Sequence, residues 1–266
     1  MPSAHPRRRA LLIDADGTLW DTRTAMEYAG RAGVRAVWPQ LSPAVATAAA
    51  LRFRSDPLGA FRRFVAGELT FLQMRSARLV DAASVVAEPV PEDALAVFEG
   101  AYGPAFDATL TAFADTVPLL RWCAENGVPV RVLTNSATAY TVGKVAATGL
   151  TGLIGAVCSR DCLGVGKPEA SVFRHACAEL GSDPEDVLYV GDEWTSDALG
   201  ASEAGLASAW LVRDDGDPAG EVVATAARRA AALARGIPVI GSLAEVPGLL
   251  GLRETGGGLR AQSGHR

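Results

Sequence analysis

Short apolar runs alternate with longer amphipathic stretches along most of the chain. Leu11-Leu12-Ile13-Asp14 is apolar and ends on a carboxylate. Residues 128–134 (VPVRVLT) are rich in β-branched side chains and follow Asn126-Gly127, a good helix stop. Further strands are predicted at 155–158, 187–190, 207–212 and 237–240. Helices are predicted between them, over 116–125, 137–148, 169–180, 195–204 and 219–235. This alternation suits right-handed βαβ crossovers and a parallel sheet, so the fold class is α/β.

Residues from about 22 to 107 break the rhythm. No strand pattern occurs there, and the stretch reads as several helices rich in Ala, Arg and Phe, punctuated by Pro39, Pro43, Pro57, Pro89 and Pro91. It is expected to be an all-helical insertion (22–107) in an α/β core made of 10–21 and 108–250. The aromatics read as its internal core, and its arginines, Arg75 and Arg78 among them, as mostly a solvated face. The polar segment 1–9 and the glycine-rich segment 251–266 are expected to be flexible tails.

Composition narrows the chemistry. The 266 residues carry 25 Lys+Arg against 30 Asp+Glu, a formal charge of −5, which disfavours a nucleic-acid partner. Only two of the 25 are lysines, Lys144 and Lys167. The three histidines are His5, His175 and His265, so an H-E-x-x-H zinc site is excluded and a Ser-His-Asp triad would have to use His175, which reads as structural on its helix. No run approaches the roughly 20 apolar residues of a membrane span. Segment 1–9 lacks a signal peptide's apolar stretch, so a cytoplasmic location with no membrane partner is expected. Cys123, Cys158, Cys162 and Cys177 are then expected to be free thiols. Cys158-x-x-x-Cys162 has a metal-like spacing, but no further cysteine or histidine pair accompanies it in the sequence.

Polar groups fall at the carboxyl ends of three predicted strands: Asp14, then Thr134-Asn135-Ser136, then Gly191-Asp192 with Asp197 five residues on. In open α/β sheets ligands bind just outside those ends, so these groups should converge. A glycine-rich loop, Gly164-Val165-Gly166-Lys167-Pro168, adds a cation before a helix. Three aspartates, a hydroxyl and a lysine suit carboxylates that hold a divalent cation and supply a nucleophile, with positive charge to neutralise a phosphoryl group. Lys144 lies on a predicted helix with no motif around it.

In these residues the chain resembles the haloacid dehalogenase-like hydrolases. Asp14-Ala15-Asp16-Gly17-Thr18-Leu19 is similar to their first motif, DxDGT; Thr134 to the second; Lys167-Pro168 to the lysine motif; and Gly191-Asp192 with Asp197 to the acidic fourth. The resemblance implies a Rossmann-like core with a helical cap inserted after the first strand, and a Mg²⁺-dependent phosphatase for a small phosphorylated metabolite. Asp14 would be the nucleophile forming an aspartyl-phosphate, and Asp16 the general acid–base. Mg²⁺ would bind Asp14, Asp192 and the backbone carbonyl of Asp16, with Asp197 and Thr18 as supporting groups. Thr134 and the Asn135 backbone would hold phosphoryl oxygens, and Lys167 would offset charge. Gly67-Glu68-Leu69-Thr70-Phe71 with Arg75 and Arg78 is similar to a cap helix of nucleotide and flavin-mononucleotide phosphatases. A phosphomutase, a metal-independent 2-haloacid dehalogenase and a catalytically silent binding or regulatory protein stay as alternatives on the same fold. The sequence leaves the oligomeric state open.

Overall fold

The computed structural model describes residues 9–213 and 221–251. All but Arg9 and Gly251 of the two expected tails therefore lies outside the described residues. Six parallel strands form one sheet: β1 (Ala10–Ile13), β2 (Val130–Thr134), β3 (Val157–Ser159), β4 (Val187–Gly191), β5 (Ala207–Leu211) and β6 (Val239–Ile240), in the order β3-β2-β1-β4-β5-β6. This is the doubly wound order, with β1 and β4 paired at the centre, where the direction of winding switches. Alternate residues of β1 pack on opposite faces. Leu11 and Ile13 join one apolar layer with Val132, Leu188 and Val190, while Ala10 and Leu12 join another with Leu133, Phe173 and Tyr189. Burial on both faces explains the unbroken apolar run at 10–13.

Between β1 and β2 the chain first makes five helices: α1 (Thr22–Val37), α2 (Pro43–Ser55), α3 (Ala60–Val65), α4 (Phe71–Ala83) and α5 (Ala94–Thr109). Asp21, Ser42 and Thr70 cap α1, α2 and α4 with side-chain acceptors, so the local sequence starts these helices where the chain turns. Their core is separate from the sheet's, built on Trp38, Phe53, Leu79, Phe98 and Tyr102. A Cβ at Gly33 would stand 2.6 Å from the Phe98 ring, so glycine lets α1 and α5 approach closely.

Two arginines of this region are not solvated. Arg75 is 4 % exposed and Arg78 6 %. Arg75 grips Glu99 through two bonds of 2.6 and 3.1 Å and lies over the Tyr102 ring at 4.1 Å. Arg78 donates to the Phe53 and Arg54 carbonyls at the end of α2. Burial, then the neighbouring Arg75, lowers the Arg78 guanidinium to about 10. These cations tie helices together, correcting the expectation of a solvated face for both.

The core resumes with α6 (Thr116–Glu125), α7 (Thr138–Ala147) after β2, and α8 (Ala170–Glu179) after β3. The helix expected at 195–204 begins instead as a π-helical turn, Trp194–Leu199, before one α turn, α9 (Gly200–Glu203). The wider turn carries Asp197, and such turns recur at functional sites. The described residues close with α10 (Glu221–Ala234), β6 and α11 (Val246–Leu249). Among the described residues no helix is long and apolar enough to cross a membrane.

Candidate active site

The carboxyl ends of β1 and β4 bring Asp14 beside Asp192 and Asp197. Carboxylate oxygens of the three lie within 4.8 Å of one another. Lys167 reaches in from the loop before α8, and its Nζ donates to Asp14 Oδ1 at 2.6 Å, Asp197 Oδ1 at 2.6 Å and Tyr189 Oη at 2.8 Å. Tyr189 in turn donates to Asp197 Oδ1, and the Glu193 N–H to Asp197 Oδ2. Asp197 is therefore held by three groups at once. The backbone needs two glycines here. Gly17, at φ 80°, lies so close that a Cβ would strike the Asp192 carboxylate, and one at Gly191 would meet Asp197.

The charges do not balance. Burial, followed by the Asp197 and Asp16 charges, lifts Asp14 to about 7 against the pull of Lys167. Burial, then Asp14 and Asp197, holds Asp192 well above the carboxylate range. Burial works against charge on Lys167, but Asp14 and Asp197 outweigh it and raise its ammonium. Three carboxylates sharing one ammonium form an oxygen-rich anionic site, which matches a hard divalent cation.

Asp16, two residues after Asp14, has a different environment. Lys144 of α7 donates to both of its oxygens, at 2.7 and 2.9 Å. Trp20 Nε1 and Thr22 Oγ1 also donate to Oδ1, at 2.9 and 2.5 Å. Burial pushes Asp16 up, but Lys144 and these bonds prevail and lower it. Lys144, which the sequence leaves without a motif, is thus a site residue 128 positions from its partner.

Thr134 is 2 % exposed at the end of β2, and its Oγ1 accepts from the Ser136 N–H at 3.1 Å. The Asn135 side chain accepts from the Lys167 N–H at 2.7 Å and donates to the Lys167 carbonyl at 3.0 Å, pinning the lysine loop to β2. Thr18 donates to Asp192 Oδ1 at 3.3 Å. Trp194 packs edge-on against Trp210 at 5.3 Å. A cleft of about 1690 Å³ opens between the five helices and the sheet, with Asp16, Gly17, Ser136, Lys144 and Asp192 on its floor and Arg23, Arg54 and Arg62 on its helical wall. Asp14 sits just beneath this floor, 5 % exposed. Phe71 stacks on Tyr140 at 4.5 Å and Arg160 lies over Phe64 at 4.0 Å, so α4 and α3 dock on α7 and on the turn after β3.

Residues 8–205 match the model of the haloacid dehalogenase-like hydrolase family. The chain is 31 % identical over 118 residues to a ribulose-1,5-bisphosphate 5-phosphatase of Halopiger xanaduensis, covering 44 % of this chain and 49 % of that protein. It is 27 % identical over 205 residues to phosphoglycolate phosphatase 1 of Pseudomonas aeruginosa, covering 76 % and 69 %. The chain thus spans about half the length of the first of these relatives. Among solved structures, the HAD-hydrolase YfnB of Bacillus subtilis, bound to magnesium, superposes with a TM-score of 0.69 at 19 % identity, covering 93 % of this chain and 100 % of that one. The L-2-haloacid dehalogenase of Xanthobacter autotrophicus gives 0.67 at 22 %, covering 91 % and 98 %, so likeness of fold does not by itself choose a chemistry. With the family model spanning most of its length and the motif residues gathered at the carboxyl ends of the strands, the chain belongs to the haloacid dehalogenase-like hydrolases.

Proposed function

We propose that the chain is a Mg²⁺-dependent phosphatase that hydrolyses a small soluble phosphate monoester through an aspartyl-phosphate on Asp14. The observation that carries this reading is the excess of carboxylate over ammonium at the strand ends: Asp14, Asp192 and Asp197 against Lys167. Asp14, Asp192 and the Asp16 carbonyl would hold the cation, with Asp197 in reach. When bound, the cation neutralises charge that develops on the phosphoryl oxygens. The five inserted helices act as the cap that shields the site from water.

The chain's own residues carry the steps. Asp14 attacks phosphorus, forming the acyl phosphate as the bond to the leaving oxygen breaks. Thr134 Oγ1 already accepts from Ser136, so its own proton is available for a phosphoryl oxygen. The Asn135 side chain keeps Lys167 in line with Asp14. The leaving oxygen takes its proton from Asp16, which Lys144 holds in place along a 2.7 Å contact. Water then attacks phosphorus while Asp16, now a carboxylate, takes a proton back from it. Phosphate leaves and Asp14 is restored.

The support that Lys144, Trp20 and Thr22 give Asp16 favours a phosphatase over a dehalogenase, which needs no acid at that position. The named phosphatase relatives and the arginines along the cleft favour an anionic, phosphorylated metabolite. Purified protein should release phosphate from an aryl phosphate with Mg²⁺ and stop when EDTA is added. Chloride release from 2-chloropropionate in EDTA, with no phosphate release, would overturn the reading.

A further inference from the structure

The sequence alone offers Cys158-x-x-x-Cys162 no partner, but the fold supplies one. Cys158 lies on β3, 1 % exposed, and Cys162 closes the short turn after it, exposed at the surface. His175, on the facing turn of α8, completes the group, with one ligand atom from each of the three within 4.8 Å of the others. Glu179 is one helical turn along, its carboxylate 3.8 Å from His175 Nε2 and itself held by Arg131 at 2.7 Å. Two sulfurs, an imidazole and a carboxylate beside that imidazole form the donor set of a tetrahedral zinc site. The donors are chemically unlike the all-oxygen cluster at the strand ends and share no residue with it.

We propose that Cys158, Cys162 and His175 bind one zinc-class divalent cation, with Glu179 orienting the imidazole or filling the fourth position. The placement gives the site a purpose. Cys162 and His175 bracket the loop that carries Lys167, so a metal between them staples β3 to α8 and fixes both ends of that loop. Burial pushes the Cys158 thiol up to about 12, so the cation must displace a proton there, as coordinating metals do to thiols. The site does not depend on the phosphatase reading.

The test is a Co²⁺ titration of metal-free, phosphine-reduced protein in excess Mg²⁺, which engages the carboxylate cluster but not thiols. One equivalent of Co²⁺ should produce a near-ultraviolet sulfur-to-cobalt charge-transfer band and the visible bands of a tetrahedral ion, both bleached by one equivalent of Zn²⁺. Cys162→Ser, at an exposed position, should remove most of the charge-transfer intensity. His175→Gln should weaken Co²⁺ binding about 10–100-fold. Asp192→Asn and Cys123→Ser should leave the bands unchanged. A titration with no charge-transfer band, or a band that persists in both Cys162→Ser and His175→Gln, overturns the proposal. So does recovery of Cys158 and Cys162 as a disulfide that still forms, at the same rate, in protein preloaded with Zn²⁺.

Discussion

Lys167 and Arg75 are equally buried cations, each 4 % exposed, yet they belong to opposite electrostatic designs. Arg75, in the helical insertion, meets one carboxylate in a bidentate grip and fills the rest of its surroundings with aromatic rings. Arg78 beside it is answered by carbonyls. Every charge there has a local partner, and the cluster functions as scaffold. Lys167, at the strand ends, is shared between Asp14 and Asp197, while Asp192 accepts from Thr18 and, among the described residues, forms no ion pair. That cluster is under-neutralised, and its carboxylates are lifted out of their ordinary range. Perturbed carboxylates beside a cleft are a signature of functional sites, whereas fully paired charge is that of a structural tie.

The contrast breaks most sharply at Asp14. Asp14→Asn removes the proposed nucleophile, and turnover of an aryl phosphate should fall by at least about 10³-fold with the far-ultraviolet dichroism unchanged. Arg75→Leu should do the opposite, leaving the strand-end cluster intact while loosening the cap. Breaking a buried pair costs about 3–5 kcal/mol, and the partial exposure of Glu99 reduces this to roughly 2–3 kcal/mol, read in a urea melt.

Lys144 tests which design the second lysine serves. Lys144→Gln should lower kcat about tenfold or more, in the range of general acid–base contributions, with little change in melting temperature. Lys144 holds the Asp16 carboxyl down, so its removal lets that pKa rise. The limb of the pH–rate profile that Asp16 sets should therefore move to higher pH. An unshifted limb would make Lys144 a structural tie like Arg75. The smallest effect is expected at the seam between the regions. Phe71→Ala deletes the stack on Tyr140, worth about 0.5–1.5 kcal/mol, and should raise KM more than it lowers kcat.

Much of the core was legible because its signals are local. An apolar run buried on both faces and closed by an aspartate names a central strand and its functional end together, as at 10–14. Helix α6 begins and ends at the residues the pattern indicates, Thr116 and Glu125. The π-helical turn at Trp194–Leu199 was not legible, since one extra residue per turn leaves the amphipathic pattern almost unchanged. Nor were the long-range partners. Lys144 meets Asp16 across 128 residues and Arg75 meets Glu99 across 24, and no periodicity encodes either pairing. The scarcity of lysine was the available clue: in a chain that uses arginine almost everywhere, both lysines sit on site carboxylates. Tyr189 was hidden in the same way, as one aromatic in an apolar strand whose hydroxyl ends against Lys167 and Asp197.

The central claim is that Asp14 carries the phosphoryl group. Its most direct test is to quench the enzyme during steady-state turnover of an aryl phosphate with Mg²⁺, reduce it with borohydride, and map the peptide spanning 10–21 by mass spectrometry. The account predicts the reduction product of an acyl phosphate at residue 14 and nowhere else. Reduction at a different side chain during full turnover would contradict it.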